Sequence, residues 1–286
     1  MIETPEMHLP PETAFLVDFN LHMVPAALGL AVPDDAAASM FATTPEPIRR
    51  YTAAVERRVR LTAFEMLSSP DDAFAIDRLP LPAGGLVMAI GDSITTYRWG
   101  YARLLAAMLE LRRPLDQLRF LNLAQSGYTS THGLETTHTQ FLAHQPDWVL
   151  IKFGVNDCKQ FGDPLARTLV SLDEYRANLA AIVAAFQRFT PARIILLSPT
   201  PVVESIVNTY PDFVPMRMTW DNRNLKACAD AVGELAAQHG LTFVDLFSLF
   251  GSSPDPAHYL PDGLHPGPSG HKLMARRVLR VLDNRL

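Results

Sequence analysis

Four short polar segments carry the residues of this sequence that are best suited to chemistry. They are GDSIT (91–95), QSG (125–127), GVND (154–157) and, near the C-terminus, DGLHP (262–266). Together they contain a serine, a histidine and a carboxylate. In acyl transfer the hydroxyl attacks a carbonyl, the imidazole takes its proton, and the carboxylate orients the imidazole. These are residue types that acyl transfer demands.

Asp262 and His265 are predicted to act together. Two groups three residues apart on a tight loop can hydrogen-bond, carboxylate to Nδ1, which leaves Nε2 free to act as a base. A simple loop histidine is the alternative. His258 is a rival base, but its nearest acid, Asp255, lies across a proline and offers no comparable partner.

The other segments offer donors for an oxyanion. Gly127 lets the backbone approach a ligand and present its N–H, and Asn156 could aim a side-chain amide. Turn or cap residues are the alternative for both, as for Ser93. The GDSIT segment is not the G-x-S-x-G turn of α/β-hydrolases, because Thr95 stands where glycine is needed. The S-x-x-K match at Ser269 is interpreted as a chance match at the start of a helix.

The elements that must position these segments alternate along the chain. Nearly continuous apolar runs predict strands buried on both faces of a parallel sheet. A doubly wound α/β fold follows, with its active site outside the carboxyl ends of the strands. The predicted strands are 86–90, 118–124, 148–154, 193–199 and 241–247, and the predicted helices are 101–113, 134–144, 172–188, 222–239 and 269–284.

Residues 1–84 do not fit this repeat and are predicted to form a mainly helical extension before a hydrolase domain at 85–286. A helix beginning near Thr44 has one apolar stripe, formed by Ile48, Tyr51, Val55, Val59, Thr62 and Met66. Five arginines between positions 49 and 60 fall largely off that stripe. A solvated helix face is the simpler interpretation of them, and a phosphate- or partner-binding face is the alternative.

Composition excludes several classes of protein. A net charge of -5 argues against a nucleic-acid partner. The acidic, proline-broken N-terminus lacks a signal-peptide pattern, and no apolar run is long enough to span a membrane. We therefore expect a cytoplasmic protein. Its two cysteines, Cys158 and Cys228, fit a reducing compartment, although a disulfide stays open. No metal or other cofactor is expected, because no HExxH or cysteine–histidine cluster is present.

The order GDSIT, Gly127, GVND, DGLH resembles the SGNH (GDSL) hydrolases over about residues 86–285. The resemblance implies a three-layer α/β/α sandwich with a flavodoxin-like, five-stranded parallel sheet. It also implies Ser93 as nucleophile, His265 as general base and acid, and Asp262 as its orienter. The Ser93 and Gly127 backbone N–H groups and the Asn156 amide would form the oxyanion hole. Residues 1–84 have no counterpart in the minimal family domain.

Three functions remain open from the sequence. A carboxylester hydrolase, acting on a small-molecule ester such as an O-acetyl compound, is preferred. An acyltransferase or thioesterase could use the same groups, and a non-catalytic binding module is disfavoured because every functional group is retained. Homo-oligomer formation is left open as a further alternative to a monomer.

The long segment 200–221 follows the fourth strand and is rich in apolar side chains. Met216, Met218 and Trp220 are predicted to line an acyl-chain slot, although these side chains could equally pack down over the domain. The amphipathic helix of the N-terminal extension is expected to pack on the outside of the sandwich, and the extension is not expected to set chain-length preference.

Overall fold

A computed structural model describes residues 9–19, 36, 38–39, 43–162 and 167–283. Five parallel strands form its main sheet, and their order across the sheet is β2-β1-β3-β5-β7. This is the doubly wound, flavodoxin-like order that was predicted. The strands of the described chain are β1 (Leu86–Gly91), β2 (Arg119–Asn122), β3 (Trp148–Lys152), β4 (Gln160–Phe161), β5 (Arg193–Leu197), β6 (Met218–Thr219) and β7 (Thr242–Val244).

Helices cover both faces of the sheet and complete the three layers. The α-helices of the described residues are α1 (Pro11–Phe19), α2 (Pro45–Leu67), α3 (Pro70–Arg78), α4 (Ser93–Thr96), α5 (Tyr101–Arg112), α6 (Ser130–Thr139), α7 (Leu172–Phe189), α8 (Glu204–Val207), α9 (Asn222–His239), α10 (Leu246–Phe250) and α11 (Pro268–Leu282). On one side α5 packs with α2 and α11, and on the other α7 packs with α6 and α9. The core lies between these layers and the sheet.

Element boundaries differ from the predicted ones where local capping or exposure intervenes. The helix predicted at 134–144 begins at Ser130, because Thr129 and His132 form a reciprocal capping box. A 3₁₀ turn, Phe141–His144, follows it. The last strand ends at Val244, because Asp245 accepts a hydrogen bond from the Ser248 N–H and so begins α10. The second strand is limited to Arg119–Asn122 and is only half-buried, as its position at the sheet edge requires.

The extension contains the predicted amphipathic helix. In α2 the whole predicted apolar stripe is buried, and the helix packs on α5 outside the sheet. Most arginines of α2 for which the structure describes a partner form ion pairs with glutamates. Examples are Arg50 with Glu46 and Arg60 with Glu110. Arg58 instead lies over the Trp99 ring at 5.4 Å. The amphipathic helix therefore packs on the outside of the sandwich, as expected. Helix α1 was not predicted and reaches the polar segments at the edge of the sheet, as described below.

The two cysteines lie together in the core. Cys158 and Cys228 are free and buried, and their Sγ atoms are 3.1 Å apart. A hydrogen bond to Cys228, together with burial, raises the pKa of the Cys158 thiol well above its ordinary value.

None of the helices in the described part of the chain is both long and apolar enough to cross a lipid bilayer.

Candidate active site

Ser93, His265 and Asp262 form a continuous series of hydrogen bonds. The Ser93 Oγ lies 2.9 Å from His265 Nε2, and His265 Nδ1 lies 2.6 Å from Asp262 Oδ2. All three residues are buried, with 4–6% of their surface exposed. Because the carboxylate accepts from Nδ1, Nε2 is left as the acceptor for the serine hydroxyl. The three groups are therefore arranged for removal of the Ser93 proton by His265.

The end of β1 places Ser93 at the carboxyl edge of the sheet. Gly91 ends this strand, and a Cβ there would lie 2.3 Å from the Lys152 carbonyl oxygen on β3, so only glycine permits the close approach. Asp92 then caps α4 by accepting from the Ile94 N–H. Ser93 is consequently the first residue of this helix, where backbone N–H groups have no intrahelical acceptor.

The loop before α11 places the Asp262 carboxylate next to the His265 imidazole. The Asp262 Oδ1 accepts the backbone N–H groups of Leu264 and His265, while its other oxygen faces the imidazole. Burial alone would raise the pKa of Asp262, but the charge of His265 and these hydrogen bonds lower it below its usual value. The carboxylate is therefore ionised at neutral pH and keeps the imidazole oriented.

Gly127 and Asn156 lie on the loops that follow the two neighbours of β1. They follow β2 and β3, the two neighbours of β1 in the sheet. Gly127 has a φ of 81°, which favours glycine. The Asn156 amide is 6% exposed and donates to the Tyr128 carbonyl at 3.0 Å, which leaves its second N–H for another acceptor. This hydrogen bond joins the loop after β2 to the loop after β3.

A buried ion pair lies beneath the serine and was not foreseen. Lys152, the last residue of β3, places its Nζ 3.3 Å from both carboxylate oxygens of Asp92, and both side chains are fully buried. Burial lowers the pKa of Lys152, and the Asp92 charge opposes that shift. A lone lysine within the apolar run at 148–154 was the available sequence signal.

Asp157 joins the loop after β3 to the start of α6. It accepts from both the N–H and the hydroxyl of Ser130, at 2.9 and 2.6 Å. Burial raises the pKa of Asp157 to about 6. Asn178 on α7 donates to the same Ser130 hydroxyl. This network fixes the loop that carries Asn156.

The rival residues lie elsewhere. The His258 Nδ1 is 3.2 Å from the Ser269 Oγ, but the Ser269 hydroxyl donates to the Ala257 carbonyl and the pair is solvent-exposed. His271 is fully buried and accepts the Tyr101 N–H, and burial lowers its pKa to about 3. It is therefore neutral at ordinary pH, and neither histidine has the partners of His265.

The predicted acyl-slot residues occupy different environments. Met216 is 53% exposed, and Met218 is half-buried in β6, which pairs with β4. Trp220 is buried and donates its indole N–H to the Val155 carbonyl at 2.9 Å, next to Asn156. Their role in binding substrate stays a prediction, and Trp220 supports the loop of Asn156 in addition.

Helix α1 covers the imidazole. The ring centroids of Phe19 and His265 are 4.7 Å apart, and the Phe19 ring also stacks on Tyr97. The ring centroids of Phe15 and His265 are 6.0 Å apart in a T-shaped arrangement. Sequence reasoning missed this contact, because nothing in residues 11–19 specifies a partner at the opposite end of the chain.

Comparison with known proteins identifies the family of the chain. Residues 89–273 match the family described as GDSL-like lipase/acylhydrolase. The chain belongs to this family. It is therefore a carboxylester hydrolase with the SGNH fold.

Several esterases are similar to this chain. An acetylxylan esterase of Geobacillus stearothermophilus is 27% identical over 71% of this chain and 96% of its own. A human isoamyl acetate-hydrolyzing esterase 1 homolog is 26% identical over 70% of this chain and 82% of its own. The crystal structure of the acetylxylan esterase Axe2 from G. stearothermophilus superposes with a TM-score of 0.57 at 28% identity, over 71% of this chain and 95% of its own. These alignments leave more than a quarter of the present chain unmatched.

Proposed function

We propose that this enzyme hydrolyses short-chain carboxylic esters, above all acetyl esters, through a Ser93–His265–Asp262 triad and an acyl-enzyme. The observation that carries the proposal is the series of two hydrogen bonds, of 2.9 and 2.6 Å, that joins the three side chains. A serine in contact with an imidazole whose other nitrogen faces a carboxylate is the arrangement that acyl transfer demands.

The reaction follows from these groups. His265 Nε2 takes the Ser93 proton as Oγ bonds to the ester carbonyl carbon, and the carbonyl oxygen becomes an oxyanion. The free N–H of Asn156 and the backbone N–H groups of Ser93 and Gly127 then hold that charge. The imidazolium, stabilised by Asp262, gives its proton to the alcohol as the C–O bond breaks. Water, deprotonated by His265, then attacks the acyl carbon, and His265 returns that proton to Ser93 Oγ as the bond from Oγ to the acyl carbon breaks and the acid is released.

Two observations support a short acyl group. Ser93, Asn156 and His265 each expose 6% of their surface or less, so the reacting atoms lie in a confined site. Two relatives are named for acetyl esters, an acetylxylan esterase and an isoamyl acetate-hydrolyzing esterase homolog.

A substrate screen tests this proposal. p-Nitrophenyl esters from acetate to palmitate, acyl-CoAs and acetylated sugars should be compared by kcat/KM, with Ser93→Ala as the inactive control. We expect acetate or propionate esters to be the best substrates. Faster turnover of acyl-CoAs than of oxygen esters would indicate a thioesterase, and capture of the acyl group by an added alcohol in preference to water would indicate an acyltransferase.

A further inference from the structure

Helix α1 is held over His265 by specific bonds. The Asp18 carboxylate accepts the Tyr51 hydroxyl at 2.7 Å, and Arg98 donates its Nε to the Val17 carbonyl at 2.9 Å and its backbone N–H to the Asp18 carbonyl. Tyr51 belongs to α2, and Arg98 lies five residues after Ser93. The extension is thus hydrogen-bonded to the segment that directly follows the helix beginning at Ser93.

The two phenylalanines of α1 differ in their exposure to solvent. Phe19 is 1% exposed and serves as packing between His265 and Tyr97. The Phe15 ring centroid is 4.6 Å from that of Phe19 and 6.0 Å from that of His265, in a T-shaped arrangement with the imidazole, yet 42% of the surface of Phe15 is open to solvent. An exposed aromatic face beside a buried reactive group is typical of a binding site for an apolar moiety.

The proton transfer by His265 indicates which part of the ester lies beside Phe15. His265 must deliver its proton to the leaving oxygen, so the alcohol portion lies next to this ring when the C–O bond breaks. The carbonyl oxygen lies instead toward the proposed oxyanion donors that follow β2 and β3. A side chain that adjoins the imidazole and faces solvent is therefore placed to contact the alcohol.

We propose that Phe15 forms a wall of the alcohol subsite and makes the enzyme favour acetates of apolar alkyl or aryl alcohols over acetates borne on sugar hydroxyls. The inference rests on the proposed triad. An alkyl chain that buries part of the Phe15 ring gains free energy from each methylene removed from water, whereas a sugar hydroxyl placed there loses its hydration. Residues 1–84 would then supply specificity as well as packing.

Alcohol preference in a Phe15 variant tests the proposal. The ratio of kcat/KM for 3-methylbutyl acetate to that for ethyl acetate should fall roughly 10-fold in Phe15→Ala, since the two esters differ only in the alcohol. Phe15→Leu should retain most of the ratio. Phe189→Ala is the matched control, because Phe189 is also half-exposed but ends α7 just before β5 begins, at the amino edge of the sheet. Its ratio should equal that of the wild type.

The outcomes separate this inference from the proposed function. A wild-type enzyme without acetate hydrolysis would overturn both. An active wild type whose ratio is unchanged in Phe15→Ala would overturn the subsite alone. Equal losses for both acetates would also overturn it, because Phe15 would then position His265 rather than select the alcohol. Thermal unfolding of each variant confirms that it is folded.

Discussion

Replacing Lys152 by methionine should destabilise the enzyme strongly, because the buried Asp92 carboxylate next to Ser93 would lose its counter-charge. In the native protein the Lys152 Nζ is 3.3 Å from both oxygens of Asp92, and neither side chain is exposed. Methionine resembles lysine in length but carries no charge. The Asp92 carboxylate would keep the Ile94 N–H as a donor and lose its counter-charge.

The size of the effect follows from the burial of both groups. Breaking a fully buried ion pair by removing one partner costs about 3–5 kcal/mol. For a chain of 286 residues the unfolding entropy is about 0.6 kcal/mol per kelvin, so Tm should fall by about 5–8 °C. The rate of acetate hydrolysis should fall as well, because Asp92 caps the helix that begins at Ser93.

Urea unfolding and calorimetry measure this loss, and a surface pair provides the control. Lys226 and Asp230 form an ion pair four residues apart on α9 with both side chains about half-exposed. Lys226→Met should cost no more than about 0.5 kcal/mol. The double variant Lys152→Met/Asp92→Asn should recover part of the loss, because neither charge remains. If Lys152→Met were as stable as Lys226→Met, the buried pair would not be ionised and the reasoning would be wrong.

Three further predictions concern Asn156, the extension and Trp220. Asn156→Ala should lower kcat by roughly 10²- to 10³-fold with KM nearly unchanged, and a raised KM with normal kcat would contradict its oxyanion role. Burial raises the pKa of Asp18 to about 6 against an ordinary 3.8, so the folded state holds this proton more tightly than the unfolded state. The stability of the wild type relative to Asp18→Asn should therefore be greatest below pH 4 and decline between about pH 4 and 6, by at most about 1.4 kcal/mol per pH unit in urea unfolding. A stability difference that does not change with pH would contradict the raised pKa of Asp18. Trp220→Phe removes the bond to the Val155 carbonyl and should lower the free energy of unfolding by about 1 kcal/mol. A changed ranking among acetate, butyrate and octanoate esters would instead show that Trp220 lines the acyl pocket.

The sheet and the polar segments that follow its strands could be predicted because both leave local patterns. Apolar runs such as 86–90 and 148–154 are long enough to identify buried strands, and the chemistry-bearing residues follow those strands directly. The family resemblance then supplied the order of the strands. Boundaries were less predictable, because single side chains decide them. His132 takes the place of the usual glutamate in the capping box of α6, and Asp245 ends the last strand early.

Long-range contacts of the extension could not be predicted. The cover of His265 by Phe19 joins residues near opposite ends of the chain, and no periodicity in residues 11–19 specifies that partner. The same holds for Lys152, whose charge in an apolar strand signals a buried partner without naming Asp92. Local sequence carries the elements and their caps, whereas the packing of one loop on another depends on the whole fold.

Fluorophosphonate labelling tests the central claim most directly. The wild-type enzyme should lose activity in step with modification, and peptide mass spectrometry should find the adduct on Ser93. Ser93→Ala should resist the reagent and lose on the order of 10⁴-fold or more in kcat, with only the catalysis of the oxyanion donors remaining. An adduct on Ser126 or Ser269, together with undiminished hydrolysis by Ser93→Ala, would contradict the assignment of Ser93 as the nucleophile.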